Sequence, residues 1–185
     1  MLVSPMNNYV LGLEFGADGE LFASDVGHVV RFDRLRTEHP RARDVTARTS
    51  SAGWGMDLSS DGRVLAVSSG SDVLLFDAHT LRPISGPIPA TRNRINWIAF
   101  NRNGTELVAG DAAYQARLID VKSQTPLGPV LLVEAGSGAV FSRDGRTLGT
   151  LTPWGGALMD VDPHDWRTDA CELAGRNLTK QEWTR

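Results

Sequence analysis

The chain of 185 residues lacks the features that identify several large classes of protein. It contains a single cysteine, Cys171, so an internal disulfide framework is excluded. No apolar segment approaches the roughly 20 residues that cross a bilayer as a helix. The first nine residues also lack the basic and apolar regions of a secretory signal. A cytoplasmic location without membrane association is therefore the expectation.

An excess of one charge is also missing. The formal net charge is −3, with 19 basic and 22 acidic residues. Attraction of the whole chain to nucleic acid or anionic lipid is therefore not expected. A locally basic stretch runs from Arg31 to Arg48, but acidic residues, Pro and Thr interrupt it. This pattern favours a solvated loop over a phosphate site.

Residues that carry catalysis are few and dispersed. The four histidines have neither cysteine neighbours nor the spacing of a metal-binding pair, so we expect no metal and no cofactor. Most serines fall in turn sequences, which opposes a nucleophilic triad with His and Asp. A Gly-rich phosphate loop that ends in Lys-Ser or Lys-Thr is not present. The interpretation is a protein that is not an enzyme and has no catalytic residues.

What the chain does contain is a fourfold internal repeat. Its marker is an Asp-Gly or Asn-Gly pair, which is preferred in tight hairpins whose two central residues both need positive φ. The marker glycines, separated by 43, 42 and 41 residues, are Gly19, Gly62, Gly104 and Gly145. Each unit later has an apolar segment that ends in an aspartate: Asp33, Asp77, Asp120 and Asp160. A period of this length is typical of propeller and solenoid repeats.

The apolar pattern around each turn keeps one register. Four residues before the glycines lie Phe15, Leu58, Phe100 and Phe141, and three residues after them lie Phe22, Leu65, Leu107 and Leu148. Alternation of this kind is typical of strands with a buried face and opposes a helix. Each unit predicts strand, turn, strand, loop, strand and aspartate, with an outer strand in the variable stretch that follows. The clearest candidates for that outer strand are residues 81–83 and 126–133.

The segment from Ser59 to Asp77 resembles a WD repeat in which Phe76 replaces the tryptophan. The same position holds Phe32, Ile119 and Met159 in the other units, and the Gly-His pair that often precedes the first strand is missing. The resemblance implies an all-β fold of about four degenerate β-propeller blades. These repeats span residues 8–161, with units at about 8–50, 51–92, 93–134 and 135–161.

Residues 162–185 resemble the tail that closes the WD-repeat region of large bacterial STAND-type signalling ATPases. The matching runs are Asp-Pro-His-Asp-Trp at 162–166, Ala-Cys-Glu-Leu-Ala-Gly-Arg-Asn-Leu-Thr at 170–179, and Glu-Trp at 182–183. In that family the tail continues with a Tyr-rich stretch and a final Cys, and the ATPase lies upstream of the propeller. ATP hydrolysis therefore does not transfer to this chain.

The tail also has local helix signals of its own. Asp162 followed by Pro163 predicts the start of a helix, and Gly175 predicts its end. Thr179 with Glu182 predicts a second short helix. Trp166 and Trp183 are interpreted as apolar anchors that dock these helices on the last blade.

Four blades are fewer than the seven or so that are usual in WD-repeat propellers. An open arc would expose two apolar end faces. Three arrangements stay open. In the first, which we favour, the chain is a C-terminal fragment of a longer gene product. In the second, two copies form a homodimer that completes a ring. In the third, the four blades close alone.

The leading functional hypothesis is a non-catalytic WD-repeat-type scaffold or sensing module that mediates protein–protein interaction in bacterial signalling. Its partner is unknown, and neither nucleic acid nor membrane is expected. Tryptophan is enriched at binding hot spots, so the candidate interaction surface is Trp54, Trp97 and Trp154. Packing of these residues between blades is the favoured alternative. A propeller-based hydrolase and a non-functional remnant of a STAND-type ATPase are the other hypotheses.

Overall fold

A computed structural model describes residues 9–33, 41–45, 54–133, 138–152 and 155–174. Within these ranges the chain forms four antiparallel sheets and one helix. The first sheet contains β1 (Gly12–Phe15), β2 (Leu21–Ser24), β3 (Val29–Asp33) and β4 (Arg41–Val45). The second contains β5 (Met56–Leu58), β6 (Val64–Ser69), β7 (Asp72–Asp77) and β8 (Ile88–Pro89).

The third sheet contains β9 (Ile95–Phe100), β10 (Glu106–Asp111), β11 (Gln115–Asp120) and β12 (Thr125–Leu132). The fourth contains three strands, β13 (Ala139–Phe141), β14 (Thr147–Thr152) and β15 (Gly155–Asp160), and α1 (Pro163–Ala174) follows. In every sheet, strands that follow one another in sequence are neighbours. The prediction of an all-β chain with a short helix near its end is confirmed.

The third strand of each sheet ends at the predicted aspartate. β3, β7, β11 and β15 end at Asp33, Asp77, Asp120 and Asp160. The outer strands follow the prediction less closely. Residues 126–133 largely coincide with β12, whereas Pro83 makes only an isolated bridge to Phe76, and β8 begins five residues later.

The turns between the first and second strands differ from the predicted two-residue hairpin. In the second sheet, Gly62 N donates to Ser59 O and Ser59 N donates to Val64 O, both at 2.8 Å. Gly62 has φ of +70°, whereas Asp61 is not among the residues with positive φ. This is a type I turn followed by one left-handed glycine. The expectation of positive φ at both central residues was wrong, because the aspartate acts through its side chain instead.

Side chains close this turn. Ser59 Oγ donates to Asp61 Oδ1 at 2.7 Å and accepts a bond from Val64 N at 2.9 Å. The hydroxyl of Ser59 and the N–H of Arg63 therefore hold the pKa of Asp61 below its ordinary value. Ser142 and Asp144 repeat the serine–aspartate bond at 2.6 Å in the fourth sheet. The serines that precede the turns are thus part of the hairpin.

The turn of the first sheet is one residue shorter. Phe15 pairs with Leu21, whereas Leu58, Phe100 and Phe141 pair with the residue three positions after their glycines. A shift of one residue moves a side chain to the other face of a strand. The sequence register predicted that Phe22 is equivalent to Leu65, and this prediction was wrong. Leu21 holds that position, and Phe22 lies in the core between the first and second sheets.

Most of the core consists of layers between successive sheets, and a smaller buried cluster of Ala23, Val30 and Phe32 lies on the other face of the first sheet. The layer between the first and second sheets contains Phe22, Val29, Leu65, Val67 and Phe76. The next layer contains Ala66, Leu75, Ile98, Leu107 and Ile119. The layer between the third and fourth sheets contains Trp97, Val108, Leu118, Leu148 and Val161. The first strands β1, β5, β9 and β13 contact one another in sequence order, so the sheets are stacked face to face.

A buried arginine links the first two sheets. Arg31 Nη1 donates to the carbonyl oxygens of Ala78 at 3.1 Å and His79 at 2.8 Å, and its Nε donates to Asp33 Oδ1 at 2.6 Å. The prediction of a solvated loop from Arg31 onward was wrong at two points. Arg31 is a buried strand residue, and residues 41–45 form β4. Residues 34–40 and 46–53 lie outside the described ranges.

The helix begins where Asp162 and Pro163 predicted. Asp162 Oδ1 accepts a bond from His164 N at 2.8 Å, as expected of a residue that caps a helix. Trp166 packs against the third layer, and its Nε1 donates to Asp160 O at 3.1 Å. Its ring lies beside Gly128, where a Cβ atom would be 2.7 Å from Cζ3. Trp166 therefore docks the helix, while Gly175, Thr179, Glu182 and Trp183 lie outside the described residues.

Gly110 is expected to be intolerant of a methyl group. A Cβ atom there would overlap Cζ2 of Trp97, whereas a Cβ atom on Gly149 would have no neighbour closer than 3.6 Å. Gly110→Ala should lower the free energy of unfolding by about 1–3 kcal/mol through overpacking. Gly149→Ala should leave it unchanged or raise it by about 0.4–1 kcal/mol. Urea unfolding of both variants tests this, and equal stabilities would contradict the packing of Trp97.

Candidate interaction surface

The stacked sheets have two distinct edges. The glycine turns lie together along one of them, because Ser60 Oγ donates to Arg102 O and Gly104 approaches Ser59 Cβ. We call the opposite edge the loop edge. It contains residues 54–55 and 93–94, which precede the first strands β5 and β9. It also contains the connections between second and third strands, at residues 25–28, 70–71 and 112–114. Loops held by a rigid scaffold are where recognition residues concentrate.

Trp54 and Arg94 form an exposed pair on the loop edge. The guanidinium carbon of Arg94 lies 4.6 Å from the centroid of the Trp54 ring, which is the geometry of a cation–π interaction. Trp54 is 46% exposed. Gly55 permits this position, because a Cβ atom there would lie only 2.9 Å from the backbone of Trp97. Gly55 N is also fixed by Ser68 Oγ at 2.9 Å.

Of the other two predicted tryptophans, one is buried and one lies outside the described residues. Trp97 is buried in the layer between the third and fourth sheets, with its ring against Gly110. Its Nε1 has no hydrogen-bond partner among the described residues. Trp154 lies outside the described ranges. The structure therefore places Trp54 alone of the three at the surface of the described chain, with Arg94 as a neighbour that the sequence did not indicate.

The four strand-end aspartates bind local backbone and side-chain donors. Asp77 Oδ1 accepts bonds from Thr80 Oγ1 at 2.6 Å and Thr80 N at 2.7 Å, and these bonds lower the pKa of Asp77. Bonding from Ser123 likewise lowers the pKa of Asp120. Asp160 accepts from Asp162 N at 2.9 Å, and Asp33 binds Arg31. In the second, third and fourth sheets these bonds stabilise the turns that leave the third strands, whereas the bond of Asp33 joins it to Arg31 of the same strand.

A second repeated acidic position was missed by the sequence analysis. Asp25 directly follows β2 and Asp111 ends β10, so both lie where the second strand meets the loop edge, and both are buried. Asp111 accepts bonds from Ala113 N at 2.9 Å, Gln115 N at 3.0 Å and Asn93 Nδ2 at 3.1 Å. The available signal was an acidic residue six or seven positions after the turn glycine, interrupting an apolar strand.

Asp25 orients a histidine. His28 Nδ1 lies 2.9 Å from Asp25 Oδ1, and Asp25 N donates to His28 O at 3.0 Å. Within the described ranges, no three His, Cys, Asp or Glu residues are grouped as metal ligands would be. The pair is an ordered carboxylate–imidazole contact at the loop edge.

Two carboxylates lie on the neighbouring first strands β1 and β5. Burial raises the pKa of Glu14, and the nearby negative charge of Asp57 raises it further. Burial also raises the pKa of Asp57, although N–H groups of Phe100 at 2.6 Å and Leu58 at 2.9 Å bind the carboxylate and oppose that effect. Asp57 thus joins the second sheet to the third, and Glu14 adds like charge beside it.

The comparisons with known proteins do not supply a family. Neither the models of known protein families nor the curated proteins gave a match to this sequence. No helix in the described ranges is long and apolar enough to cross a membrane. Any functional conclusion therefore depends on the repeat pattern and on the geometry of the loop edge.

Glu14 should make the stability of the protein depend on pH. A carboxyl whose pKa is raised by folding is protonated more readily in the folded state, so stability falls as pH rises above its ordinary value of 4.5 toward the raised one. Glu14→Gln should flatten this fall by removing the buried charge. Urea unfolding at several values between about pH 4 and pH 7 measures it. Glu172→Gln on the exposed helix surface is the control, and an equal effect of both variants would contradict the assignment.

Trp54 and Arg94 should contribute little to folding. Because the pair is exposed, the coupling energy from a double-mutant cycle of Trp54→Ala and Arg94→Ala should be about 0.5–1 kcal/mol. Unfolding of the two single variants and the double variant measures this coupling. A loss of several kcal/mol in either single variant would show that the pair is structural instead.

Proposed function

We propose that the chain is a set of WD-repeat-type propeller blades that serves as a non-catalytic protein-binding module in a bacterial signalling protein of the STAND type. The repeated sheets support this proposal. Each has consecutive antiparallel strands, a glycine turn after the first strand and an aspartate at the end of the third. The stacking of first strand beside first strand is the arrangement that blades around an axis require.

The exposed pair of Trp54 and Arg94 is the observation that carries the binding function. Tryptophan and arginine are the residue types most enriched at binding hot spots, and a cation–π pair strengthens when a partner removes its water. The pair is also held in place before contact, because Gly55 and Ser68 fix the backbone beside Trp54. The partner surface that fits it has an apolar area for the indole and a carboxylate for the guanidinium.

A propeller-based hydrolase is the second candidate, and the Asp25–His28 pair is the observation in its favour. A buried carboxylate that orients an imidazole supplies two of the three members of a nucleophilic triad. The same contacts have a sufficient structural explanation, because the side-chain bond and the bond from Asp25 N to His28 O together close a tight connection between β2 and β3. The binding module is therefore the function that we propose.

Quantitative co-purification tests this function. The tagged chain, Trp54→Ala, Arg94→Ala and a control, Lys122→Ala at an exposed position on the edge of the glycine turns, are expressed in the host cell, and their bound proteins are compared by mass spectrometry. We expect at least one protein to be depleted about thirtyfold by both loop-edge variants and retained by Lys122→Ala, since loss of a hot spot costs at least about 2 kcal/mol. Identical bound proteins for all four chains would contradict the proposed surface.

A further inference from the structure

Each internal interface of the stack joins two different faces. Ile98 and Phe100 of the third sheet pack toward the second sheet, whereas Ala99 between them packs toward the fourth. We call the side that packs on the preceding sheet the leading face, and the side that packs on the following sheet the trailing face. Met56 and Leu58 lie on the leading face of the second sheet. Every interface within the chain therefore pairs a trailing face with a leading face.

The described chain leaves part of one face of each kind uncovered. On the leading face of the first sheet, Leu13 and Phe15 are 60% and 67% exposed. On the trailing face of the fourth sheet, Val140 and Leu158 are 69% and 83% exposed. The positions equivalent to Leu158, two residues before the strand-end aspartate, are Leu75 and Leu118 in the second and third sheets, and both are fully buried. The uncovered residues thus occupy positions that are interior elsewhere in the chain.

We propose that two copies of the chain pair head to tail, with the trailing face of each fourth sheet on the leading face of the other copy's first sheet. The second copy is the occupant that continues an interface already present three times in the chain. Two such contacts close a ring of eight sheets with twofold symmetry. This inference rests on the proposed propeller arrangement and is independent of the loop edge.

The chemistry of the two faces fits this pairing. The trailing faces of the first and second sheets contain Arg31 and Asp57, which bind specific groups on the next sheet. The trailing face of the fourth sheet has Val140 and Leu158 on either side of Gly149, where a Cβ atom would lie 3.6 Å and 3.7 Å from them. Around Gly149 the described part of this face is apolar and forms a shallow groove, and Asp160 lies on the same face at the end of β15. A protruding aromatic side chain such as Phe15 is its complement.

The expected association is weak and reversible. Ala23, Val30 and Phe32, on the same side of the first sheet as Leu13 and Phe15, are already buried, so the uncovered strip is centred on β1. Interfaces that bury less than about 1,200 Å² belong to transient complexes. Closing two contacts at once raises the affinity over that of a single contact.

Light scattering coupled to size-exclusion chromatography tests the pairing over a range of concentrations. The wild-type chain should approach twice its mass of 20.1 kDa at high concentration and 20.1 kDa on dilution. Phe15→Asp and Leu158→Asp should each stay at 20.1 kDa, because each one alters both contacts of the ring. Leu132→Asp, at an exposed apolar position on the outer strand of the third sheet, is the control and should behave as wild type.

An equimolar mixture of Phe15→Asp and Leu158→Asp distinguishes head-to-tail pairing from other dimers. In the mixed dimer, one contact pairs the unaltered trailing face of Phe15→Asp with the unaltered leading face of Leu158→Asp. The mixture should therefore form a dimer that neither variant forms alone. Circular dichroism of each variant confirms that it is folded. A wild-type chain that stays monomeric, a dimer that survives Leu158→Asp, or a mixture that stays monomeric would each overturn the proposal. None of these results would change the co-purification result for Trp54→Ala and Arg94→Ala. Each of the two proposals can therefore be overturned without the other.

Discussion

The burial of one apolar sheet face against another is the interaction on which this molecule depends. The second and third sheets carry apolar residues on both faces, as Leu65 and Ala66 show by lying in two different core layers. A sheet of this kind cannot be stable alone, because at least one apolar face would remain in water. Stability therefore comes from stacking, and each sheet depends mainly on the sheets beside it. Exposed apolar residues such as Phe15 and Leu158 accordingly lie at the two ends of the stack.

Polar groups have a different task in this architecture, which is to fix register between elements that the apolar layers alone would leave free to slide. Arg31 binds carbonyl oxygens beyond the end of the next sheet's third strand, and Asp57 binds the backbone of Phe100. Buried groups of this kind must be paired, since an unpaired buried charge is expensive. They therefore specify one alignment of neighbouring sheets. The turn serines and strand-end aspartates do the same over short distances.

In the function that we propose, recognition and folding are largely separated on this scaffold. The serines and aspartates of the glycine turns lie along one edge, whereas Trp54 and Arg94 lie on the other and contribute little to the core. Recognition by an exposed edge allows the loops to vary while the layers are preserved. Trp97 illustrates the opposite role, since it fills space beside Gly110 and leaves its polar atom without a bond among the described residues.

Local patterns in the sequence by themselves determined the first three strands of each sheet, the positions of the four glycine turns, the strand-end aspartates and the start of the helix. Each depends on bonds between residues only a few positions apart, as from Ser59 to Val64 or from Asp162 to His164. Tertiary structure decided what depends on distant partners. Arg31 meets Ala78 across 47 residues and Asp57 meets Phe100 across 43, and no local pattern encodes such contacts. A turn shorter by one residue reversed the face of Phe22. The neighbouring sheets also determined that Trp97 is buried while Trp54 is exposed, because burial depends on what packs against a residue and not on its type.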